Sequence, residues 1–268
     1  MRCPVTVRPA LVWSLAAFLF CATPLPADPL RILLFTRTEG FHHPSITDGT
    51  DMIGQIGDQE DWTIDQTEET TPFEPATLAL YDAVVWLSTT GDVLDAPEQT
   101  AFEQYVSSGG GYVGIHAAAD CEYGWPWYGE LLGGGAWFLS HPPIQSATLH
   151  LENPGHPAAG PFAAETTFTE EWYNFRANPR PAVDVIMTID EGSYNPGRDA
   201  MVEDHPIVWA HRVDAGRAFY TVLGHSPATY ADARFREQIR RAILWSAGVL
   251  VFIDGFESGD LSAWQISM

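Results

Sequence analysis

Gly109-Gly110-Gly111-Tyr112-Val113-Gly114-Ile115-His116-Ala117-Ala118 is a glycine run that leads into a short apolar strand and stops on a histidine among small residues. Many α/β enzymes hold a nucleophile at such a sharp strand-to-helix turn, where small neighbours let the backbone bend and the side chain stands above the sheet. Here the exposed group is an imidazole, suited to acid, base or metal-ligand work and uncommon as a covalent nucleophile. A plainer reading is equally open at this point: a Gly-rich turn feeding a buried strand whose histidine is satisfied by backbone.

Outward from this stretch, β-branched and aromatic runs alternate with longer periodic segments, the pattern of a mostly parallel sheet covered by helices. Strands are expected over Arg31–Thr36, Trp62–Gln66, Ala83–Ser88, Tyr112–His116, Val183–Ile189, Ile207–His211 and Arg217–Leu223. The expected helices are Ser45–Ile56, Pro97–Ser107, Trp127–Leu132 and Asp232–Ala247. Pro97 suits a first helical turn and Gly109 a helix end. Val213-Asp214-Ala215-Gly216 joins two of the strands as a hairpin. Gln145–Leu151 and Thr166–Trp172 read as extra strands of an insertion that can roof a site, because His141-Pro142-Pro143 and Asn153-Pro154-Gly155 interrupt the βα rhythm.

The ends bound the domain. Arg2 and Arg8 precede the apolar run Leu11 to Ala22, and Ala27 offers a small cleavage residue, so residues 1–27 read as a signal peptide and the mature chain as starting near Asp28. The run is shorter than the roughly 20 residues of a spanning helix; a secreted or periplasmic protein with no stable membrane anchor is expected. Residues 251–268 form a short acidic tail whose spacing does not match an EF-hand loop, leaving residues 28–250 as one domain. Of three cysteines, Cys3 and Cys21 lie in the signal, so Cys121 has no partner for a disulfide.

All thirteen basic residues are arginine, and the formal charge is −22. Such a surface repels nucleic acid and anionic lipid and favours a neutral or cationic ligand. The abundant aromatics include candidates for stacking on sugar faces.

In an open parallel sheet, ligands bind beyond the carboxyl ends of the strands. Four polar segments fall there: Arg37 to Pro44, Thr89 to Asp92, His116 with Asp120, and Gly224-His225-Ser226-Pro227. His116 and His225 are therefore expected on one edge and within one pocket. His43, His141, His156 and His205 each precede proline, which puts them in turns or extended loops; His43 and His141 lie next to segments bordering the crevice. Thr169-Glu170-Glu171-Trp172-Tyr173-Asn174-Phe175 places two carboxylates beside aromatics, and in a strand the two would face opposite sides. Glu122-Tyr123-Gly124-Trp125-Pro126-Trp127-Tyr128 reads as either a sugar platform or a hydrophobic plug.

Together, Thr38 to Ile46, Gly109 through His116, Trp125 to Gly133, Glu171 to Phe175, His205 to Trp209 and Gly216 through His225 resemble the ThuA-like, or trehalose-utilisation, family over roughly Leu30 to Leu250. The resemblance implies a flavodoxin-like, three-layer sandwich related to class I glutamine amidotransferases, a role in carbohydrate metabolism, and frequent export by bacteria. Compared with the amidotransferase pattern, the elbow carries His116 in place of cysteine, and Ser226-Pro227 follows His225 with no glutamate. That departure excludes a glutaminase reaction through a cysteine acyl-enzyme. Glu170 stands where aspartate is expected, which leaves Glu171 the better candidate.

The expected activity is transformation of a small saccharide, trehalose-like or a keto-glycoside, by an enzyme of hydrolase or lyase type. His116, His225 and Glu171 are the candidate catalytic groups. Arg37, His43, Asp92, Trp125, Trp127, Tyr173 and His141 are the candidate substrate contacts. His43, His116 and His225 can also hold a divalent metal such as zinc, because neutral imidazoles and a carboxylate are common zinc ligands. The alternative is a non-catalytic carbohydrate-binding protein on the same scaffold; a purely structural exported module leaves the strand-end histidines without a role.

Overall fold

The computed structural model describes residues 29–250 apart from residue 203. The expected signal peptide and tail lie outside the described residues. In chain order the elements are β1 (Arg31–Phe35), α1 (Ile46–Glu60), β2 (Thr63–Thr67), α2 (Pro75–Leu78), β3 (Ala83–Leu87), α3 (Ala96–Ser107), β4 (Gly111–Ile115), α4 (Pro126–Leu131), β5 (Phe138–Ser140), β6 (Gln145–Leu151), β7 (Glu165–Glu170), β8 (Asn174–Phe175), β9 (Asp184–Ile189), β10 (Pro206–Val213), β11 (Gly216–Thr221), α5 (Pro227–Tyr230) and α6 (Ala233–Ser246).

The main sheet has the order β2-β1-β3-β4-β11-β10-β9-β6-β7. Its first five strands are parallel, the flavodoxin-like half. β3 and β4 are buried at every position, as strands covered on both faces by helices must be. α1 buries Ile46, Met52, Ile53 and Ile56, and α6 buries Phe235, Ile239, Ala242 and Ile243, the helical spacing of an apolar stripe. α3 starts on a capping box in which Asp95 accepts from the Glu98 N–H and Glu98 accepts from the Asp95 N–H, ahead of Pro97. Gly111 opens β4 because a Cβ there would lie 2.7 Å from the Ser246 backbone of α6.

The expected hairpin forms: β10 pairs antiparallel with β11, which runs parallel to β4, so the ends of β4 and β11 lie side by side. The expected extra strands form, and β6 and β7 continue the main sheet, antiparallel, beyond β9. β7 alternates exposed and buried residues along its length, as an edge strand with one solvated face does. Among the described residues no helix is long and apolar enough to cross a membrane.

Candidate functional site

The chain leaves β4 at Ile115 and enters a 3-10 turn, His116–Ala119, with His116 at φ 52°. A non-glycine residue in this left-handed region is strained by roughly 1–3 kcal/mol; Ala117 and Ala118, both fully buried, leave room for the turn. The elbow is clamped. Tyr220 Oη donates to the His116 carbonyl at 2.7 Å, and His116 Nδ1 lies 2.8 Å from the Val222 carbonyl. That carbonyl fixes the proton on Nδ1, so Nε2 presents its lone pair to the site.

Three loops converge on Nε2. After β11, Gly224 adopts φ 130°, and a Cβ there would meet Ile115 Cγ2 at 2.9 Å and His116 Cβ at 3.3 Å. Glycine alone lets this loop close onto the elbow, which brings His225 Nδ1 to 3.3 Å from His116 Nε2. After β1, His43 heads α1 and is buried; its ring centroid is 4.8 Å from that of His116 and 5.3 Å from that of His225. After β7, Glu171 Oε2 lies 3.2 Å from His225 Nδ1 and 3.5 Å from His116 Nε2, while Glu171 Oε1 is 3.0 Å from His141 Nδ1. Tyr173 Oη stands 3.1 Å from His116 Nε2. Phe41, His43, Asp120, Phe138, His141, Glu171, Tyr173 and His225 line a cavity of about 360 Å³ above the cluster, within the ~300–1,000 Å³ range of small-molecule sites.

Glu170 ends β7 and Glu171 follows it, and both are buried against the loop that carries His225. Glu170 is fully buried, and its carboxylate accepts from the N–H groups of Gly224 at 3.2 Å, Ser226 at 3.3 Å and Glu171 at 3.0 Å, and from the Thr229 hydroxyl. It thereby anchors the loop that carries His225. Sequence reasoning passed over this role, although the adjacency of two carboxylates at a strand end was the available signal. Phe138 and the Tyr220 clamp also escaped it, since neither residue type suggests chemistry by itself.

Electrostatics separates the groups. Burial, then the neighbouring His116 and His225, lowers His43 to about 3, so its imidazole is neutral at pH 7. Burial pushes the Glu171 carboxyl upward, but the adjoining His116 and His225 imidazoles together hold it well below the usual carboxylate range. The hydrogen bond to Glu171 raises His225. Asp120, which accepts from the Tyr123 hydroxyl at 2.6 Å, is raised by burial. A neutral base, an ionised carboxylate and a proton-holding imidazole thus share one cavity, the separation that acid and base chemistry needs.

Four of the expected substrate contacts lie elsewhere. The loops after β1 and β3 zip together, with Glu39 N–H donating to the Thr90 carbonyl at 2.8 Å and Thr90 Oγ1 to the Phe41 carbonyl at 3.0 Å. Arg37 consequently pairs with Glu39 and the Glu68 carbonyl, outside the cavity. Asp92 is exposed and does not line it. Trp125 and Trp127 stack on each other at 5.0 Å and pack against Phe102, so the aromatic loop is a hydrophobic plug against α3. Cys121 is buried with its thiol pushed far up by burial and is no nucleophile.

The remaining His-Pro histidines have local partners. His156 Nδ1 accepts from the Ala158 N–H at 3.1 Å. His205 bridges Glu191 at 2.9 Å and the Tyr173 carbonyl at 2.8 Å, supporting the backbone behind the site.

A family profile described as ThuA, trehalose utilisation, matches residues 31–246. Among solved structures, one described as ThuA-like from Bacteroides uniformis shares 24% identity with a TM-score of 0.72, covering 85% of this chain and 95% of its own. A second, described as ThuA-like from Parabacteroides merdae, shares 20% identity with a TM-score of 0.66 and covers 84% and 92%. A cytoplasmic protein from Salmonella typhimurium LT2 shares 15% identity with a TM-score of 0.54, covering 82% and 98%. At these identities the likeness is one of fold. No curated protein matches the chain.

Proposed function

This chain belongs to the ThuA family, and from that premise we propose that it transforms a small saccharide, with a keto-glycoside as the preferred substrate, at the strand-end histidine cluster. The observation that carries the reading is the convergence of His116, His225 and Glu171, whose facing atoms lie 3.2–3.5 Å apart beneath a cavity walled by Phe41, Phe138 and Tyr173. Aromatic walls suit the apolar faces of a sugar ring, and the polar floor suits its hydroxyl and carbonyl groups.

A plain glycosidase of the two-carboxylate type needs a carboxyl that keeps its proton near neutral pH. Glu171 is held ionised, which argues for a base or charge partner in place of a proton donor. A sugar carbonyl acidifies the neighbouring C–H. A neutral imidazole such as His43 can take that proton while the protonated His225 delivers one to the departing glycosidic oxygen; the C–H electron pair becomes the new C=C bond as the C–O bond breaks. Tyr173, whose hydroxyl stands 3.1 Å from His116 Nε2 and faces the cavity, donates to the reacting carbonyl. The protein is proposed to work after export, a reading carried by residues 1–27.

The test is a panel of saccharides and keto-saccharides assayed with the wild type, His116→Ala and His225→Ala. Turnover of a keto-glycoside, abolished in both variants while urea unfolding midpoints are retained, is the expected result. Retained sugar binding in both variants with no turnover of any substrate would replace this reading by the non-catalytic binding protein.

A further inference from the structure

The donor atoms of the cluster have the spacing of a metal site. A four-coordinate zinc ion with ligands about 2.0–2.1 Å away has donor atoms roughly 3.3 Å from one another. His116 Nε2 and His225 Nδ1 are 3.3 Å apart, His225 Nδ1 and Glu171 Oε2 are 3.2 Å apart, and His116 Nε2 and Glu171 Oε2 are 3.5 Å apart. The three atoms therefore outline one face of a tetrahedron of that size.

Hydrogen positions point the same way. With its proton directed to the Val222 carbonyl, His116 offers a lone pair through Nε2 toward the Glu171 oxygen, also an acceptor. Two acceptors that face each other at 3.5 Å are an arrangement that a cation between them relieves. The outer partners are also in place: the Val222 carbonyl orients His116, and His141 occupies Glu171 Oε1, leaving Oε2 to point inward as a single donor. His43 completes the group, its ligating nitrogen lying within 4.8 Å of the others, a looser fit than a tetrahedral edge. Its ring is 3% exposed, and its Nδ1 has no hydrogen-bond partner.

We propose that His116 Nε2, His225 Nδ1 and Glu171 Oε2 form a three-ligand seat for a divalent zinc-type ion, with the open position facing His43 and the cavity. Two imidazoles and one carboxylate match the ligand preference of zinc. This rests on the choice of site above and changes one role in it: with an ion bound, His225 would be a ligand and not the acid, and the ion would polarise a sugar carbonyl as a Lewis acid.

The experiment measures metal on the protein alone, without sugar. Chelator-stripped wild type is titrated with Zn²⁺ by calorimetry and with Co²⁺ by visible absorption, with Cys121→Ser as a control. One equivalent and the intense visible bands of tetrahedral Co²⁺ are expected in both proteins. His116→Ala, His225→Ala and Glu171→Gln should each weaken binding at least about 100-fold, whereas His43→Ala should still bind one equivalent. Glu171→Gln keeps the side-chain volume, so it reports on the ligand even if an alanine variant is poorly folded. No stoichiometric binding by the wild type, or binding unchanged in Glu171→Gln and the histidine variants, overturns the site. A loss in His43→Ala as large as in the other three overturns the three-ligand assignment. One equivalent of metal without turnover of any saccharide would leave this site standing and sink the proposed substrate.

Discussion

Glu170→Gln isolates the residue that positions His225. The native carboxylate accepts three bonds at Oε1, from Gly224, Ser226 and Thr229, and one at Oε2 from the Glu171 N–H. Glutamine keeps an uncharged oxygen for the first three and turns its NH₂ toward the last, donor against donor. Hydrogen bonds to a charged group contribute about 1.5–3 kcal/mol against about 0.5–1.5 for neutral ones, and a buried N–H left unpaired costs about 1–3 kcal/mol. The variant no longer buries a charge, which offsets part of this loss. A net destabilisation of about 3 kcal/mol is expected, lowering Tm by roughly 6–12 °C in a domain of this size. Urea unfolding followed by tryptophan fluorescence gives the stability, and Co²⁺ titration gives the state of the His225 loop. A Glu170→Gln protein within about 0.5 kcal/mol of wild type, with unaltered metal affinity, would refute the argument that Glu170 anchors that loop.

Trp125→Ala should cost about 3–5 kcal/mol of stability, as truncation of a buried large aromatic does, and leave saccharide affinity unchanged; a binding isotherm that shifts without a stability change would restore the sugar-platform reading. In Cys121→Ser, activity and metal content should match wild type, and the native thiol should resist alkylation until urea unfolds the chain. His156, lowered to about 4 by burial, should make the protein acid-sensitive. Its folded value is depressed, so the unfolded chain binds the extra proton between about pH 6.5 and 4, and stability falls as pH drops through that window. Comparing pH 7 with pH 4.5, wild type should lose about 2 kcal/mol more than His156→Asn; equal losses would show that His156 is protonated in the native state. Export predicts that protein recovered from outside the cytoplasm begins near Asp28; an intact residue 1 there would contradict cleavage.

Local chemistry placed the strands and the elbow. β1, β3, β4 and β11 fall within a residue or two of the apolar runs read from the chain, because glycine, proline and charged residues punctuate those runs. The elbow was visible because Gly114, Ala117 and Ala118 flank His116, and only small residues permit that turn. Glu170 keeps the two-residue period of β7, but Glu171 lies past the strand end and is buried as well, so the alternation did not place it. The partner of each group did not follow, since pairing joins segments far apart in the chain. β6 and β7 carry the alternation of half-buried strands, yet nothing local states that they extend the main sheet beyond β9. Arg37 sits at a strand end as expected, but Glu39 and the zipped Thr90 loop turn it away from the cavity. Trp125 has the composition of a sugar platform and the environment of a core residue, because Phe102 on another helix decides its side. The 3.2–3.5 Å triangle of His116, His225 and Glu171 draws on the ends of β4, β11 and β7, and only the assembled sheet, with Gly224 allowing one loop to touch another, brings those ends together.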